Sequence, residues 1–403
     1  MTQQNNPKPT ARPHIMVLVA VASIGTLALN IFIPSMPNLV ESLGTTQSMA
    51  QLTLTFYLAS LAFAQLIIGP LSDKYGRRPV LLWSIAIYVA ASLASGLATN
   101  IETLISARVL QALGGCSGIV ITRAIIRDIY SKQRAAGVLG YIIMVVSLAP
   151  MLAPIIGAYI DQWFSWRGSF YFVALFGIFI GLIAYKNLHE TNFNLVTQLN
   201  LGNMPKQYWA LLREPEYMGY ALSMSFNNAV FFSFITGAPF IISDLMNLTP
   251  GIYALYFMLV SGGYMLGNFL VGRFSARIGT DKMIHIGNIN MLLGVILAIY
   301  CFNLGYSHPI ILFGPMGVIA ISAGMIGPNA IAGLLDVKPE IAGTASGLSG
   351  FLQMMIAATA TFLVSWFYQN TGFSMIFFMA LFACLSCLSF YTLVVIKKPK
   401  PAV

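Results

Sequence analysis

Residues 69–82 read GPLSDKYGRRPVLL, and this stretch lies between two long apolar runs. Its two glycines allow a tight turn and a close approach of two helix ends. Asp73 supplies a negative charge that can lie near a helix N-terminus, and the basic residues can pair with carboxylates. Such a cluster can hold one conformation closed and release it in another, so the stretch predicts a conformational latch. The alternative is a basic loop that only turns the chain. The latch residues are Gly69, Asp73, Gly76, Arg77 and Arg78.

Apolar runs like those on either side of this loop recur along the whole chain. Of its 403 residues, 58% are hydrophobic and 8% are charged, whereas a soluble domain carries about 25% charged residues. A helix needs about 20 mainly apolar residues to cross a bilayer. The sequence therefore predicts an all-α polytopic membrane protein with twelve transmembrane helices. The predicted spans are residues 15–33, 48–70, 80–98, 103–125, 137–160, 168–188, 217–240, 251–272, 283–303, 309–335, 341–367 and 373–396.

Basic residues are concentrated on one side of the predicted membrane. The chain holds 21 Lys and Arg against 12 Asp and Glu, a formal charge of +9. With the N-terminus inside, 18 of the 21 fall on the cytoplasmic side, and the exceptions are Arg108, Arg123 and Arg167. This positive-inside pattern predicts that both termini lie in the cytoplasm. The basic balance therefore indicates membrane topology and argues against a nucleic-acid partner.

One long polar segment divides the twelve spans into six and six, and the two halves echo each other. GPLSDKYGRR (69–78) follows span 2, and GRFSARIGTD (272–281) follows span 8, with glycines in register at an offset of 203 residues. A duplication with halves in the same orientation is typical of transporters whose site lies between the halves. We therefore predict two pseudo-symmetric six-helix bundles. The predicted divisions are a cytoplasmic tail (1–14), an N-terminal bundle (15–188), a cytoplasmic loop (189–216), a C-terminal bundle (217–396) and a second cytoplasmic tail (397–403).

Polar side chains inside the apolar spans are candidates for a substrate cavity. Arg108 lies in span 4, where an arginine costs at least about 2.5 kcal/mol, so it should face the protein interior or a water-filled cavity. The alternative is that it reaches back to the outer interface. Gln111, three residues on, shares its helix face, and each candidate has the alternative of an interhelical hydrogen bond. The substrate or coupling candidates are Asn30, Tyr57, Arg108, Gln111, Asn227 and Asn228.

Span 5 contains SLAPMLAPIIGAYI (147–160), with two prolines one helical turn apart. Prolines free carbonyls and bend a transmembrane helix, and a glycine permits close packing. The segment predicts a hinge or a tight seam between helices, with a merely kinked helix as the alternative. The residues concerned are Pro150, Pro154 and Gly157.

Together these stretches resemble the major facilitator superfamily, specifically its drug:proton antiporters and most closely the Bcr/CflA (bicyclomycin-resistance) subfamily. Residues 69–78 resemble the family's motif A, RVLQALGG (108–115) resembles motif B, and APMLAPIIGA (149–158) resembles the antiporter motif of helix 5. The resemblance implies alternating-access export of small amphipathic compounds across a bacterial inner membrane, driven by inward proton flow. We accordingly expect a monomer that binds a small-molecule substrate within the lipid bilayer. We expect no cofactor or metal, with the proton as coupling ion.

One position departs from this pattern. Members of the subfamily often carry an aspartate in helix 1 where this chain has Asn30, and an amide cannot carry a proton. All 12 acidic residues fall in loops or at span ends, whereas proton coupling needs a group that titrates in the pathway. The alternative function is therefore export or uniport of an endogenous metabolite, a siderophore or an organic anion on the same fold.

Two other classes of protein fit the sequence poorly. A membrane enzyme needs a polar constellation at one membrane face, but the four histidines are scattered and no metal or nucleophile motif groups them. A receptor or scaffold would more naturally show a large soluble domain, and the longest non-membrane stretch here is 189–216. We therefore predict a transporter and not an enzyme.

Overall fold

The structure is a computed structural model that describes residues 13–130, 138, 141–142, 145–146, 148–193, 195, 204–305, 308–338, 342–368 and 371–396. Within these ranges all regular secondary structure is helical, which confirms the predicted all-α class. The α-helices are α1 (Ile15–Asn30), α2 (Met36–Leu43), α3 (Gln47–Tyr75), α4 (Arg77–Gly96), α5 (Ile101–Ile129), α6 (Ala149–Phe164), α7 (Trp166–Asn187), α8 (Met204–Leu212), α9 (Pro215–Phe240), α10 (Pro250–Ile278), α11 (Thr280–Asn303), α12 (Pro309–Val337), α13 (Ala342–Trp366) and α14 (Phe373–Phe390).

Eleven helical segments of the described chain are long and apolar enough to cross a bilayer, and they overlap eleven of the predicted spans. The remaining one, span 5, lies partly outside the described residues, and α6 is its described part. Span 1 is longer than predicted, because α1 continues through a 3₁₀ turn at Ile33–Ser35 into α2. Short π-helical turns at Ile241–Leu245 and Tyr391–Val395 extend α9 and α14.

The two echoing loops share one backbone conformation. A single residue, Gly76, separates α3 from α4, and a single residue, Gly279, separates α10 from α11. Their φ angles are 96° and 93°, values that strain any residue with a side chain. The sequence echo therefore marks the same joint in both halves of the chain.

Helix contacts divide the described residues into two compact units. The first unit contains the chain up to Phe32 together with Phe63–Asn200. In it α4 packs on α5 and α7, and α1 packs beside α5, α6 and α7. Small residues permit this approach: a Cβ at Gly114 would lie 2.5 Å from the Ser84 carbonyl oxygen, and one at Gly118 would lie 2.1 Å from that of Val21. Packing of this kind is typical of membrane helices.

The second unit contains Ile33–Ala62 together with Leu201–Val403. In it α10 and α11 pack on α12, and α9 packs on α12, α13 and α14. Helix α3 therefore contributes its first half to the second unit and its second half to the first. The predicted bundles, 15–188 and 217–396, assign residues 33–62 to the N-terminal half, and that division stays a prediction.

Candidate functional site

Arg108 lies in the interior of the first unit, with a side chain that is 0% exposed. Its Nη1 donates to the carbonyl oxygen of Ala28 in α1, at 3.0 Å, and to Oε1 of Gln111, at 2.5 Å. Gln111 in turn donates to Oγ of Ser92 in α4, at 2.7 Å. One buried chain of hydrogen bonds thus joins α1, α5 and α4.

Two aromatic rings complete the surroundings of this guanidinium. Its central carbon lies 4.4 Å from the ring centroid of Phe32 and 5.7 Å from that of Phe170. Cation–π contacts are worth about 2 kcal/mol or more when they are desolvated. Ala28 belongs to the last turn of α1, where carbonyl groups carry the negative end of the helix dipole. Arg108 is therefore stabilised inside the unit by a helix C-terminus, an amide and two aromatic faces.

Asn30 is the last residue of α1 and is 3% exposed. Its Nδ2 donates to the carbonyl oxygen of Thr26, one turn earlier in the same helix, at 2.8 Å. Side chains therefore bind two carbonyls of the final turns of α1, that of Thr26 through Asn30 and that of Ala28 through Arg108. The amide stabilises the end of α1 at the point where the chain enters the 3₁₀ turn.

The other substrate candidates lie in the second unit. Tyr57 is fully buried, and Asn227 donates to the sulfur of Met291 at 3.1 Å. Nδ2 of Asn228 is buried and has no hydrogen-bond partner among the described residues. The structure thus brings Arg108 and Gln111 into direct contact near Asn30, while these three candidates belong to other helices. The roles of all six stay predictions.

A polar cluster in the second unit was not among the site predictions. Ser386 in α14 donates to the carbonyl oxygen of Ser223 in α9, at 2.9 Å, and lies 3.3 Å from Oδ1 of Asn288 in α11. Asn288 is fully buried, and its Nδ2 has no partner among the described residues. Serines are common as small packing residues in membrane helices, so their spacing gave no signal.

The latch residue Arg77 connects three helices. Its guanidinium lies 2.6 Å from Oδ1 of Asp73 in α3, 3.0 Å from Oδ2 of Asp128 in α5 and 2.6 Å from Oγ of Ser72. The Arg77 side chain is 4% exposed, so these charge-assisted bonds are largely shielded from water. Gly69 differs from the expectation of a tight turn, because it lies within α3 and a Cβ there would meet no atom within 4 Å.

Glu190 is the residue of this region that sequence reasoning missed. Its carboxylate accepts hydrogen bonds from the backbone N–H groups of Arg77, at 2.9 Å, and Arg78, at 3.0 Å. These groups open α4, and a carboxylate at a helix N-terminus is stabilised by the helix dipole. Asn192 adds a bond from Nδ2 to the Asp73 carbonyl oxygen, at 3.2 Å. The segment that follows α7 thus returns to the latch and fixes the start of α4.

The proline-rich helix α6 packs on the end of α1. A Cβ at Gly157 would lie 1.7 Å from the carbonyl oxygen of Ile31, so only glycine fits there. Pro154 lies inside α6, and Pro150 lies in its first turn, where a missing N–H costs least.

Helix α3 presents a polar stripe at positions i, i+4 and i+8, which we call the α3 stripe: Gln47, Gln51 and Thr55. Gln51 donates to the Thr236 carbonyl oxygen of α9, at 3.0 Å, and Thr55 Oγ1 lies 2.7 Å from Thr361 Oγ1 of α13. Gln47 forms a hydrogen bond with the carboxylate of Asp244. These bonds tie the first half of α3 to α9, to its extension and to α13.

Similarity to known proteins agrees with this architecture. The sequence pattern of the Major Facilitator Superfamily matches residues 18–361. The chain therefore belongs to the major facilitator superfamily, as predicted, and is a multi-pass membrane transporter, not an enzyme.

Particular relatives extend over nearly the whole chain. It is 27% identical over 387 residues to the bicyclomycin resistance protein homolog of Haemophilus influenzae, covering 94% of this chain and 95% of the relative. It is 28% identical over 389 residues to the chloramphenicol resistance protein of Pseudomonas aeruginosa, covering 93% and 90%. These relatives confirm the predicted resemblance to the bicyclomycin-resistance subfamily. A crystal structure of a bacterial homolog to the human lysosomal transporter Spinster shares the fold, with a TM-score of 0.76, 15% identity and coverage of 96% and 98%.

Proposed function

We propose that this protein exports small amphipathic compounds, drugs among them, across the bacterial inner membrane by alternating access in exchange for protons. The supporting observation is the similarity to two relatives named for resistance to bicyclomycin and to chloramphenicol. Each covers more than nine-tenths of this chain. Both termini lie in the cytoplasm in this proposal, as the placement of the basic residues indicates. The transporter acts as a monomer, with a small-molecule substrate and the lipid bilayer as its partners.

The buried position of Arg108 favours neutral or cationic amphiphiles over organic anions. Its guanidinium already binds the Ala28 carbonyl, the Gln111 amide and two aromatic rings. An anionic substrate would have to replace these contacts inside a site from which water is excluded, and breaking buried charge-assisted bonds is costly. We therefore assign Arg108 to fixing the end of α1 and not to binding an anion.

Coupling to protons requires an acidic group other than residue 30. Asp161, in the last turn of α6, is 6% exposed and is the one acidic side chain that is buried among the described residues. It belongs to the helix whose Gly157 packs on the end of α1. We assign proton binding to Asp161. In this proposal, protonation of Asp161 affects the end of α1 through the packing of α6 against it.

The experiment uses purified protein in liposomes with an imposed pH gradient. We expect an acidic lumen to drive uptake of a cationic dye and of chloramphenicol, and we expect an uncoupler to abolish this uptake. Empty liposomes provide the control for passive partition. Uptake that proceeds equally without a gradient and in the presence of the uncoupler would instead identify a uniporter, which is the alternative function.

A further inference from the structure

An apolar groove opens on the surface of the first unit. Its walls are α3 from Ala64 to Tyr75, α4 from Pro79 to Ile87, and Leu113 of α5. The groove encloses about 540 Å³. Large apolar side chains of its rim are exposed, and Trp83 reaches 73%. In membrane-spanning helices, exposed apolar side chains of this kind face lipid, so the groove opens toward the bilayer.

The length of the groove matches the depth of one leaflet. Ala64 and Tyr75 are eleven residues apart in α3, which corresponds to about 16 Å at 1.5 Å per residue. The hydrocarbon core of a bilayer is about 30 Å thick, so one leaflet contributes about 15 Å. The groove begins beside the joint at Gly76 and ends near the middle of the membrane. An extended acyl chain fits this shape better than a compact molecule does.

Three basic residues lie near the Gly76 end of the helices that line the groove: Lys74, Arg78 and Arg127, the last beside Asp128, which binds Arg77. The Lys74 ammonium lies 5.1 Å from the ring centroid of Tyr75, which lines the groove, and Arg78 precedes the lining residue Pro79. Arg127 is exposed and lies fourteen residues after Leu113 in α5, which places both on nearly the same helix face. Lys74, Arg78 and Arg127 form no ion pair with any acidic residue in the part of the chain that the structure describes.

The acidic residues of the same region are already engaged. Asp73 and Asp128 both bind Arg77, and the Glu190 carboxylate accepts from the first N–H groups of α4. Arg78 donates through Nη2 to the Tyr185 carbonyl oxygen, at 2.9 Å, but no carboxylate of the described residues neutralises its charge. The positive charge at this end of the groove is therefore available to a ligand. The same charge repels a cationic amphiphile, so we do not expect this groove to be a binding site for cationic drugs.

We propose that this groove holds one acyl chain of an anionic phospholipid from the leaflet on the Gly76 side, with the lipid phosphate bound by Lys74, Arg78 and Arg127. Lysine and arginine near a membrane surface attract anionic headgroups. The charge pattern predicts that this leaflet is the cytoplasmic one. The lipid then contacts the helices that carry the latch, so its binding stabilises the arrangement of α3 and α4 seen here.

The second half of the chain supplies an internal comparison. At the repeat offset, Lys74 corresponds to Arg277, but Arg78 corresponds to Asp281, whose carboxylate accepts a hydrogen bond from Tyr220. The cavity beside that joint is lined by acidic residues, among them Glu214 and Asp336. The lining of this cavity is thus acidic where the groove of the first unit is apolar, and we expect the cavity to bind no anionic lipid.

Native mass spectrometry of the purified full-length protein with added phosphatidylglycerol or phosphatidylcholine tests the proposal. We expect phosphatidylglycerol to bind more tightly. Lys74→Gln should weaken it about fivefold, and Lys74→Gln with Arg127→Gln by about the product of two such factors. Arg277→Gln, at the repeat position, should leave binding unchanged. Ile67→Trp should narrow the groove and displace the lipid, whereas Leu293→Trp, at an exposed position of α11, should not.

Equal affinity for the two lipids, or unchanged phosphatidylglycerol binding in both Lys74→Gln and the double variant, would overturn the proposal. Equal losses in Lys74→Gln and Arg277→Gln would show a general effect of surface charge and would also overturn it. A cationic dye that competes with the lipid and binds Lys74→Gln more tightly would show that the groove is a drug site. None of these results depends on transport, so the proposed export function can fail while the lipid site stands.

Discussion

Arg108 shows how one residue can fix a helix end inside a membrane. Because α1 ends before the 3₁₀ turn, its last carbonyl groups have no N–H partner within the helix. Arg108 donates a hydrogen bond to one of them, that of Ala28. We expect Arg108→Ala to abolish export, because it leaves buried acceptors unpaired at a cost of about 1–3 kcal/mol each. Arg108→Lys should restore only part of the activity, because an ammonium lacks the planar fork of donors. Export assays normalised to membrane protein level measure both, and near-normal export by Arg108→Ala would refute this role.

Asp161 carries the prediction about coupling. We expect Asp161→Asn to lose uptake driven by the pH gradient, because an amide cannot take up a proton, and to retain exchange of labelled for unlabelled substrate. Both rates are measured in the same liposomes. Asp73→Asn serves as the comparison, since Asp73 is half exposed and should slow both processes together. Gradient-driven uptake that survives in Asp161→Asn would remove Asp161 from the coupling mechanism.

Residues of this kind differ in how far the sequence alone identifies them. Arg108 and Gln111 could be predicted because charge and amide groups inside an apolar run require polar surroundings. Glu190 could not, because its partners are backbone N–H groups 113 and 112 residues earlier, and backbone donors leave no trace in the residue pattern. Gly69 predicts a turn because glycine permits one, but the helix continues through it to Tyr75.

Among the elements, α3 belongs to both units and bears the α3 stripe. We expect Gln51→Leu with Thr55→Val to weaken the attachment of α3 to α9 and α13, since each bond contributes about 1 kcal/mol. In a background without native cysteines, Ser48→Cys and Ser365→Cys report this attachment, because Ser48 Oγ lies 2.8 Å from the Ser365 carbonyl oxygen. Disulfide yield should fall in the stripe variant. Ser60→Ala is the control, since the hydrogen bond that Ser60 makes among the described residues stays within α3, to the Phe56 carbonyl oxygen. An unchanged yield would show that the stripe does not hold α3.

The contact of α6 with α1 gives a second prediction at this scale. Gly157→Ala should lower the melting temperature and export, because its Cβ would overlap the Ile31 carbonyl oxygen, and overpacking costs about 1–3 kcal/mol. Gly262→Ala in α10 is the matched control, because a Cβ there meets no atom within 4 Å. Thermal unfolding in detergent measures the difference. Equal melting temperatures would mean that α6 moves away from α1 without cost.

At the scale of the whole molecule, hydropathy predicted the helices because lipid forces every backbone group to bond within its own segment. The same constraint makes helix number and length readable from the sequence alone. The faces that pair are set by small residues and buried polar groups, which hydropathy does not distinguish. Span 1 shows the limit: its apolar run predicts an end near residue 33, but the helix resumes after a 3₁₀ turn and reaches Leu43.

The latch gives the prediction for the complete transport cycle. Asp73→Asn should slow export a few-fold, because Arg77 keeps its bond to Asp128 while losing one charged partner. Asp128→Asn should slow it more, since that carboxylate comes from α5 and is less exposed. Initial export rates at saturating substrate measure this order. The reverse order, or no change in either variant, would exclude the ion pairs as the step that sets turnover.

The joint at Gly76 is a single residue long. Helix α3 ends one residue before Gly76 and α4 begins one residue after it, so the two helices are connected without a loop. Two contacts fix this joint: the Glu190 carboxylate accepts from the first N–H groups of α4, and the Arg77 guanidinium binds Asp73 of α3. Gly279 connects α10 and α11 in the same way in the other half of the chain. At both joints the angle between two consecutive helices is therefore set by the backbone of one glycine and not by the length of a loop.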